Sequence, residues 1–235
     1  MTMMRSQPAT SPRLRKLLPL QPGDRLTRAE FERRWDAMPQ LKNAELINGV
    51  VYMAAALRID QHGEPHARFL GWLSHYVGLT PGLRFGDNSS MRLDEDNVPQ
   101  PDAVLFLPPH AGGQCRVDQD GYIDGAPEFV AEIAASSASY DLHDKLDVYR
   151  RHGVREYVVW RVLDEAIDWF IFAEGRFEPL PADDGGVYRS RVVPGLWLDA
   201  AAMIKGDLKR VFETVAQGAQ GPEHAALVQR LAQTG

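Results

Sequence analysis

Three segments of the chain carry residues whose types do not suit their surroundings. Glu132 is the only charge in the apolar run FVAEIAA, residues 129–135. A buried carboxylate without a partner costs on the order of several kcal/mol, so it must be paired, hydrogen-bonded or metal-bound. The bland alternative is that the strand ends early, or that an arginine neutralises it. Asp102 stands where the polar VPQP segment meets the apolar AVLFL run, at a strand's beginning or in a strand-entry turn. Lys145 follows Asp141 by one helical turn, an arrangement that also suits an ordinary surface ion pair. Strand alternation puts Ala134 on the same face as Glu132. That small methyl leaves room for an amine delivered from the following helix. Two carboxylates and an amine brought together in this way would suit metal-dependent phosphodiester hydrolysis.

The elements around these residues follow from punctuation and period. Residues 128–160 read as a buried strand, a loop, a helix closed by Gly153 and a second strand. Upstream, Thr27-x-x-Glu30 predicts a capping box opening a helix that ends near Pro39. Residues 44–55 predict a hairpin around Asn48-Gly49, which suits a type I′ turn. Pro65 opens a helix whose apolar face comprises Phe69, Leu70, Trp72, Leu73, Tyr76 and Val77. Short strands are expected at 83–86, 90–93 and 103–107, with the acidic residues 94–96 in a solvated turn. Residues 108–125 predict a polar, glycine-rich loop, either a flap or a passive insertion. A hairpin at 166–180 turns at Glu174-Gly175, a strand at 187–193 follows, and helices broken at Gly206, Gly218 and Gly221-Pro222 end the chain. The expected fold is α/β (α+β): one mixed central sheet flanked by helices. It divides into an N-terminal arm (1–23), a main domain (24–205) and a C-terminal helical extension (206–235). The arm contains four basic residues among Pro, Ser and Thr, and reads as a disordered start or a DNA-gripping tail.

At 235 residues the chain is long enough for a full core, and its net charge is −6. Bulk electrostatics therefore exclude a strongly basic nucleic-acid binder, and any such contact must use local patches. Cys115 is the sole cysteine, which excludes an intrachain disulfide and a cysteine zinc cluster and points to a reducing, cytoplasmic setting. No 18-residue apolar run exists to span a bilayer.

Taken in order, Pro101-Asp102, Glu132-Ile133-Ala134, Asp141-x-x-x-Lys145-x-x-x-Tyr149 and Gly153-Val154-x-Glu156-Tyr157 resemble the Uma-type "putative restriction endonucleases" of the PD-(D/E)XK nuclease superfamily. In them the motif lysine has migrated to a helix. Glu45-Leu46-Ile47-Asn48-Gly49 matches that family's Glu-Leu-Ile-Asp-Gly hairpin with Asn48 for its aspartate, and His66 falls where it has a histidine opening a helix. The resemblance covers roughly residues 25–200; a Ser-Pro usual after the Glu132 strand is absent here. It implies a restriction endonuclease-like core with an extra N-terminal hairpin and C-terminal helices, and DNA as substrate. It further implies Mg²⁺, with Mn²⁺ as alternative, held by Asp102, Glu132 and the Ile133 carbonyl. Lys145 would orient the nucleophile or stabilise charge on phosphorus. Glu45 would support a second metal or simply pack the hairpin. His66 would touch the phosphate, position water, or merely cap its helix. His62, His75, His143 and His152 form no H-x-x-x-H zinc pattern.

Two other classes compete: a catalytically silent nuclease scaffold used for binding or assembly, and a metal hydrolase of small phosphoesters. A polymer substrate would need arginines near the cleft, with Arg68, Arg92, Arg150, Arg151 and Arg155 as candidates. A homodimer would suit cutting both DNA strands.

Overall fold

The computed structural model describes residues 17–53, 58–135 and 137–233. Most of the expected N-terminal arm, and Ala54 and Ala55 at the end of the expected hairpin, lie outside them. Helix α1 spans Arg28–Asp36. The expected capping box does not form, because Thr27 makes no side-chain cap bond and Glu30 is taken by Arg33 and Arg34 at 2.8 and 2.6 Å. Phe31 anchors this helix in a small core with Leu20, Leu46, Val51 and Val98. Strands β1 (Ala44–Ile47) and β2 (Val50–Met53) pair antiparallel. Asn48 (φ 51°) and Gly49 (φ 73°) make the expected two-residue turn, whose positive φ values few residues other than Asn and Gly tolerate.

A π-type turn, Ile59–Gly63, leads into α2, Glu64–Leu79, with Pro65 in the first turn as expected. Strands β3 (Arg84–Asp87), β4 (Met91–Arg92), β5 (Ala103–Phe106), β6 (Arg116–Val117), β7 (Ile123–Asp124) and β8 (Phe129–Ala134) follow. The polar segment after β5 is thus no featureless loop: β7 pairs with β4 on one side and β6 on the other in a small three-stranded sheet. Glu128 ties down its base, its buried carboxylate accepting from the backbone N–H groups of Leu107 (2.8 Å) and Gln114 (3.1 Å). Helix α3 (Ala138–Tyr140), a second π-type turn (Asp141–Lys145) and α4 (Leu146–His152) run on continuously to Gly153. Gly153, at φ 77°, closes α4 in the left-handed conformation that glycine adopts without steric cost. The rest comprises β9 (Glu156–Arg161), β10 (Ala166–Ala173), β11 (Arg176–Pro179), β12 (Val187–Arg189), β13 (Trp197–Asp199), α5 (Ala200–Lys205), α6 (Leu208–Gly218) and α7 (Pro222–Ala232).

Six strands form the central sheet in the order β11-β10-β9-β8-β5-β3. Only β8 and β9 are parallel, because the helical crossover from 138 to 152 returns the chain to the same end. Strand alternation divides the core in two. Leu105, Phe129, Ala131, Ile133, Val158 and Trp160 face α2 and the C-terminal helices, in a core that also takes in Val211, Val215, Leu227 and Leu231. Val104, Phe106, Val130, Ala134, Tyr157 and Val159 face the opposite side, with Tyr149 of α4. No helix among the described residues is long and apolar enough to cross a membrane.

Candidate active site

Glu132 shares the face of Val130 and Ala134, so its carboxylate points toward α4 rather than α2. There it meets two donors. Lys145 Nζ lies 2.9 Å from Glu132 Oε1, and Tyr149 Oη donates to the same oxygen at 2.9 Å. The helix therefore delivers its amine to the place left open by Ala134, and lysine and tyrosine, four residues apart, act from one helical face. The hairpin contributes a second carboxylate: Glu45 Oε1 is 2.8 Å from Lys145 Nζ and also accepts from the Gln100 backbone N–H at 2.8 Å. Asp141 is third, 3.8 Å from the amine. Lys145 and Glu132 are each only 4% exposed.

Burial opposes the charge on Lys145, but Glu132, Glu45 and Asp141 outweigh it and hold the ammonium well above its ordinary range. Burial pushes Glu132 up against the pull of that ammonium, and pushes Asp141 up to about 6. Three carboxyl groups thus surround one lysine at the wall of the cleft.

Asp102 stands one residue before β5, beside β8 in the sheet. Its Oδ2 accepts the Ile133 backbone N–H at 2.7 Å, which aims the Asp102 carboxylate along the edge of β8. Oδ1 faces His62 Nε2 at 3.4 Å, and the other ring nitrogen, Nδ1, donates to the Ile133 carbonyl at 3.0 Å. Burial opposes ionisation of Asp102, but His62 and the Ile133 N–H hold its carboxyl below the usual range; reciprocally, Asp102 raises His62. His66, in the first turn of α2, donates from Nε2 to the Asp102 backbone carbonyl at 2.9 Å and approaches Asp87 Oδ1 at 3.2 Å.

Asp102, Glu132, Ile133, Lys145 and Glu45 line a single cleft of about 660 Å³, together with His62. His66 braces the Asp102 backbone from just behind it. His62 is the residue that sequence reasoning passed over. His62-x-x-x-His66 is itself a four-residue spacing, and the fold places both rings against Asp102. Tyr52 and Tyr140, whose ring centroids are 4.4 Å apart, also line the cleft and had no local signal in the sequence.

The donor set fits a hard divalent ion. Asp102 Oδ1, Glu132 Oε2 and the second lone pair of the Ile133 carbonyl are oxygen ligands, and Oε2 of Glu132 has no hydrogen-bond donor among the described residues. The candidate arginines are less available. Arg92 is held by Glu32, Asp118 and Asp120, Arg68 by Glu64, Arg150 and Arg151 by Asp147, and Arg155 by the Gln114 side chain.

The family described as "Uma2: Putative restriction endonuclease" matches residues 28–201. The chain belongs to the Uma2 family. Among solved structures, the Uma2 chain is similar to "a putative nuclease belonging to DUF820 from Anabaena variabilis ATCC 29413", with a TM-score of 0.50 and 12% identity over 77% of this chain and 97% of that one. At that identity the likeness is one of fold. No curated protein matches the chain.

Proposed function

We propose that this Uma2 protein is a metal-dependent endonuclease that hydrolyses DNA phosphodiester bonds. The observation that carries the reading is the 2.9 Å contact between Lys145 Nζ, brought by a helix, and Glu132 Oε1, on a strand, in the cleft that Asp102 also lines. Asp102, Glu132 and the Ile133 carbonyl would hold Mg²⁺ or Mn²⁺. Such an ion supplies Lewis acidity, making a water more acidic and neutralising charge on a phosphoryl oxygen. Lys145, kept cationic by its three carboxylates, orients the attacking water or stabilises charge at phosphorus. Glu45 fixes the position of that amine, and His66 fixes the main chain of Asp102. A second reading, hydrolysis of small phosphoesters, is favoured by the engagement of Arg68, Arg92, Arg150 and Arg151 with the protein's own acids.

The test is plasmid relaxation with Mg²⁺, Mn²⁺ or chelator, run for the wild type and for Asp102→Ala, Glu132→Ala and Lys145→Ala, beside a chromogenic phosphodiester. Cleavage is expected only with metal and wild type, with losses of roughly 10²-fold or more in each variant. Equal cleavage in every sample would mean contamination. Turnover of the chromogenic ester alone would select the second reading, and none on either substrate would leave a silent scaffold.

A further inference from the structure

The contacts of His62 go beyond what an oxygen-only metal site requires. A carbonyl oxygen can only accept, so the 3.0 Å contact with Ile133 places the proton of His62 on Nδ1. The other ring nitrogen, Nε2, faces Asp102 Oδ1 at 3.4 Å, a separation that either a proton or a metal ion can bridge. Neighbouring ligands on one ion are about 3.0–3.4 Å apart when the bonds are about 2.1 Å long. Ligating histidines also characteristically donate their other ring N–H to a backbone carbonyl or carboxylate, which fixes tautomer and ring orientation, as Ile133 does here. One nitrogen of His62, one of His66 and one carboxylate oxygen of Asp102 all lie within 4.8 Å of one another. His62 and Asp102 are 14% and 13% exposed, sheltered but reachable from the cleft.

We propose that His62 is a nitrogen ligand which, with Asp102, makes this site select a first-row transition ion such as Co²⁺, Ni²⁺ or Zn²⁺ over Mg²⁺. The inference rests on the reading above and concerns the Asp102 end of the same cleft, where the Ile133 carbonyl is the partner of His62 Nδ1 and not itself a ligand of the nitrogen-bound ion. Imidazole binds such ions far better than it binds Mg²⁺, which prefers oxygen and gives up its waters reluctantly.

The test is titration of the tag-free, metal-stripped full chain with Co²⁺ and with Mg²⁺, followed by calorimetry and by the visible absorption of bound Co²⁺. Wild type, His62→Ala and His62→Gln are compared, with thermal melts to establish folding. Wild type is expected to bind Co²⁺ at least about ten-fold tighter than Mg²⁺. Both variants should lose about ten-fold or more in Co²⁺ affinity, with an altered Co²⁺ spectrum and little change toward Mg²⁺. Should His62→Ala misfold, the glutamine variant decides. Unchanged or tighter Co²⁺ binding in the variants would mean that a proton, rather than a metal, normally separates the two groups, and would overturn the inference. The two readings fail separately: Mg²⁺-supported plasmid cleavage with no Co²⁺ preference sinks only the ligand role of His62, and Co²⁺ binding without cleavage sinks only the nuclease.

Discussion

At Lys145 the demands of folding and of the proposed chemistry meet in one atom. Substituting Lys145→Met keeps the apolar stem but leaves Glu45, Glu132 and Asp141 facing one another around a missing charge. Breaking a buried pair from one side costs about 3–5 kcal/mol, so urea unfolding in chelator at pH 8 should show a loss of that order. The loss should shrink at pH 5, where the unpaired carboxylates take up protons; a loss below about 1 kcal/mol at pH 8 would show that the amine is not structurally needed. Tyr149→Phe removes one donor from the same Glu132 oxygen and should cost about 1–2 kcal/mol, since the remaining ammonium still satisfies it. The residue types around this atom were legible because each broke its local pattern: an acid in an apolar run, an acid at a strand entry, a lysine one turn after an aspartate. Tyr140 and Tyr52 broke no pattern, and only the fold puts them beside the acids.

The crossover from β8 to β9 positions the amine, and the segment after β12 holds β9 in place through one carboxylate. Glu156, fully buried at the first residue of β9, accepts from Ser190 Oγ at 2.7 Å and from the backbone N–H groups of Arg191 and Val192 at 2.7 and 3.2 Å. Burial dominates these bonds and raises its pKa to about 7 from the ordinary 4.5. A carboxyl whose folded value is raised contributes stability that is fully present below about pH 4.5 and lost as pH climbs through about 7. Glu156→Gln removes that dependence. Relative to wild type it should gain up to about 3 kcal/mol between pH 5 and pH 8, measured by urea unfolding at both; parallel curves at the two pH values would refute the buried-acid account. At this scale the long periodic elements were foreseeable, and the misses have physical reasons. Strands β6 and β7 are two residues each, too short to show a period. Strand β13 is three residues long and pairs only with β12, although its Trp197 carbonyl accepts the Trp72 indole N–H at 2.9 Å. The capping box at Thr27 failed because arginines within the same helix bind Glu30 more strongly than a backbone amide does.

For the molecule as a whole, the engagement of four candidate arginines bears on how it can meet a polyanion. A protein that neutralises six to ten phosphates loses about 10³–10⁵ in affinity between 50 and 200 mM salt. With Arg68, Arg92, Arg150 and Arg151 ion-paired to acids of the same chain, fluorescence anisotropy with labelled duplex over that range should show a much shallower fall, about ten- to thirty-fold. A steep slope would mean that those pairs open on binding. The C-terminal helices share the core of α2 through Val211, Val215, Leu227 and Leu231. Truncation after Lys205 should therefore expose apolar surface and give an aggregating product, as size-exclusion chromatography would show. The rims of the central sheet set a further limit. At one end β11 carries Arg176, Glu178 and Pro179, and at the other β3 carries Arg84 and Asp87. A continuous ribbon running from one copy into the next would set charged side chains along the joint and meet a residue that has no amide proton to give. Self-association by lateral addition of these edge strands is thereby discouraged, and a second copy would have to meet the chain through other surfaces.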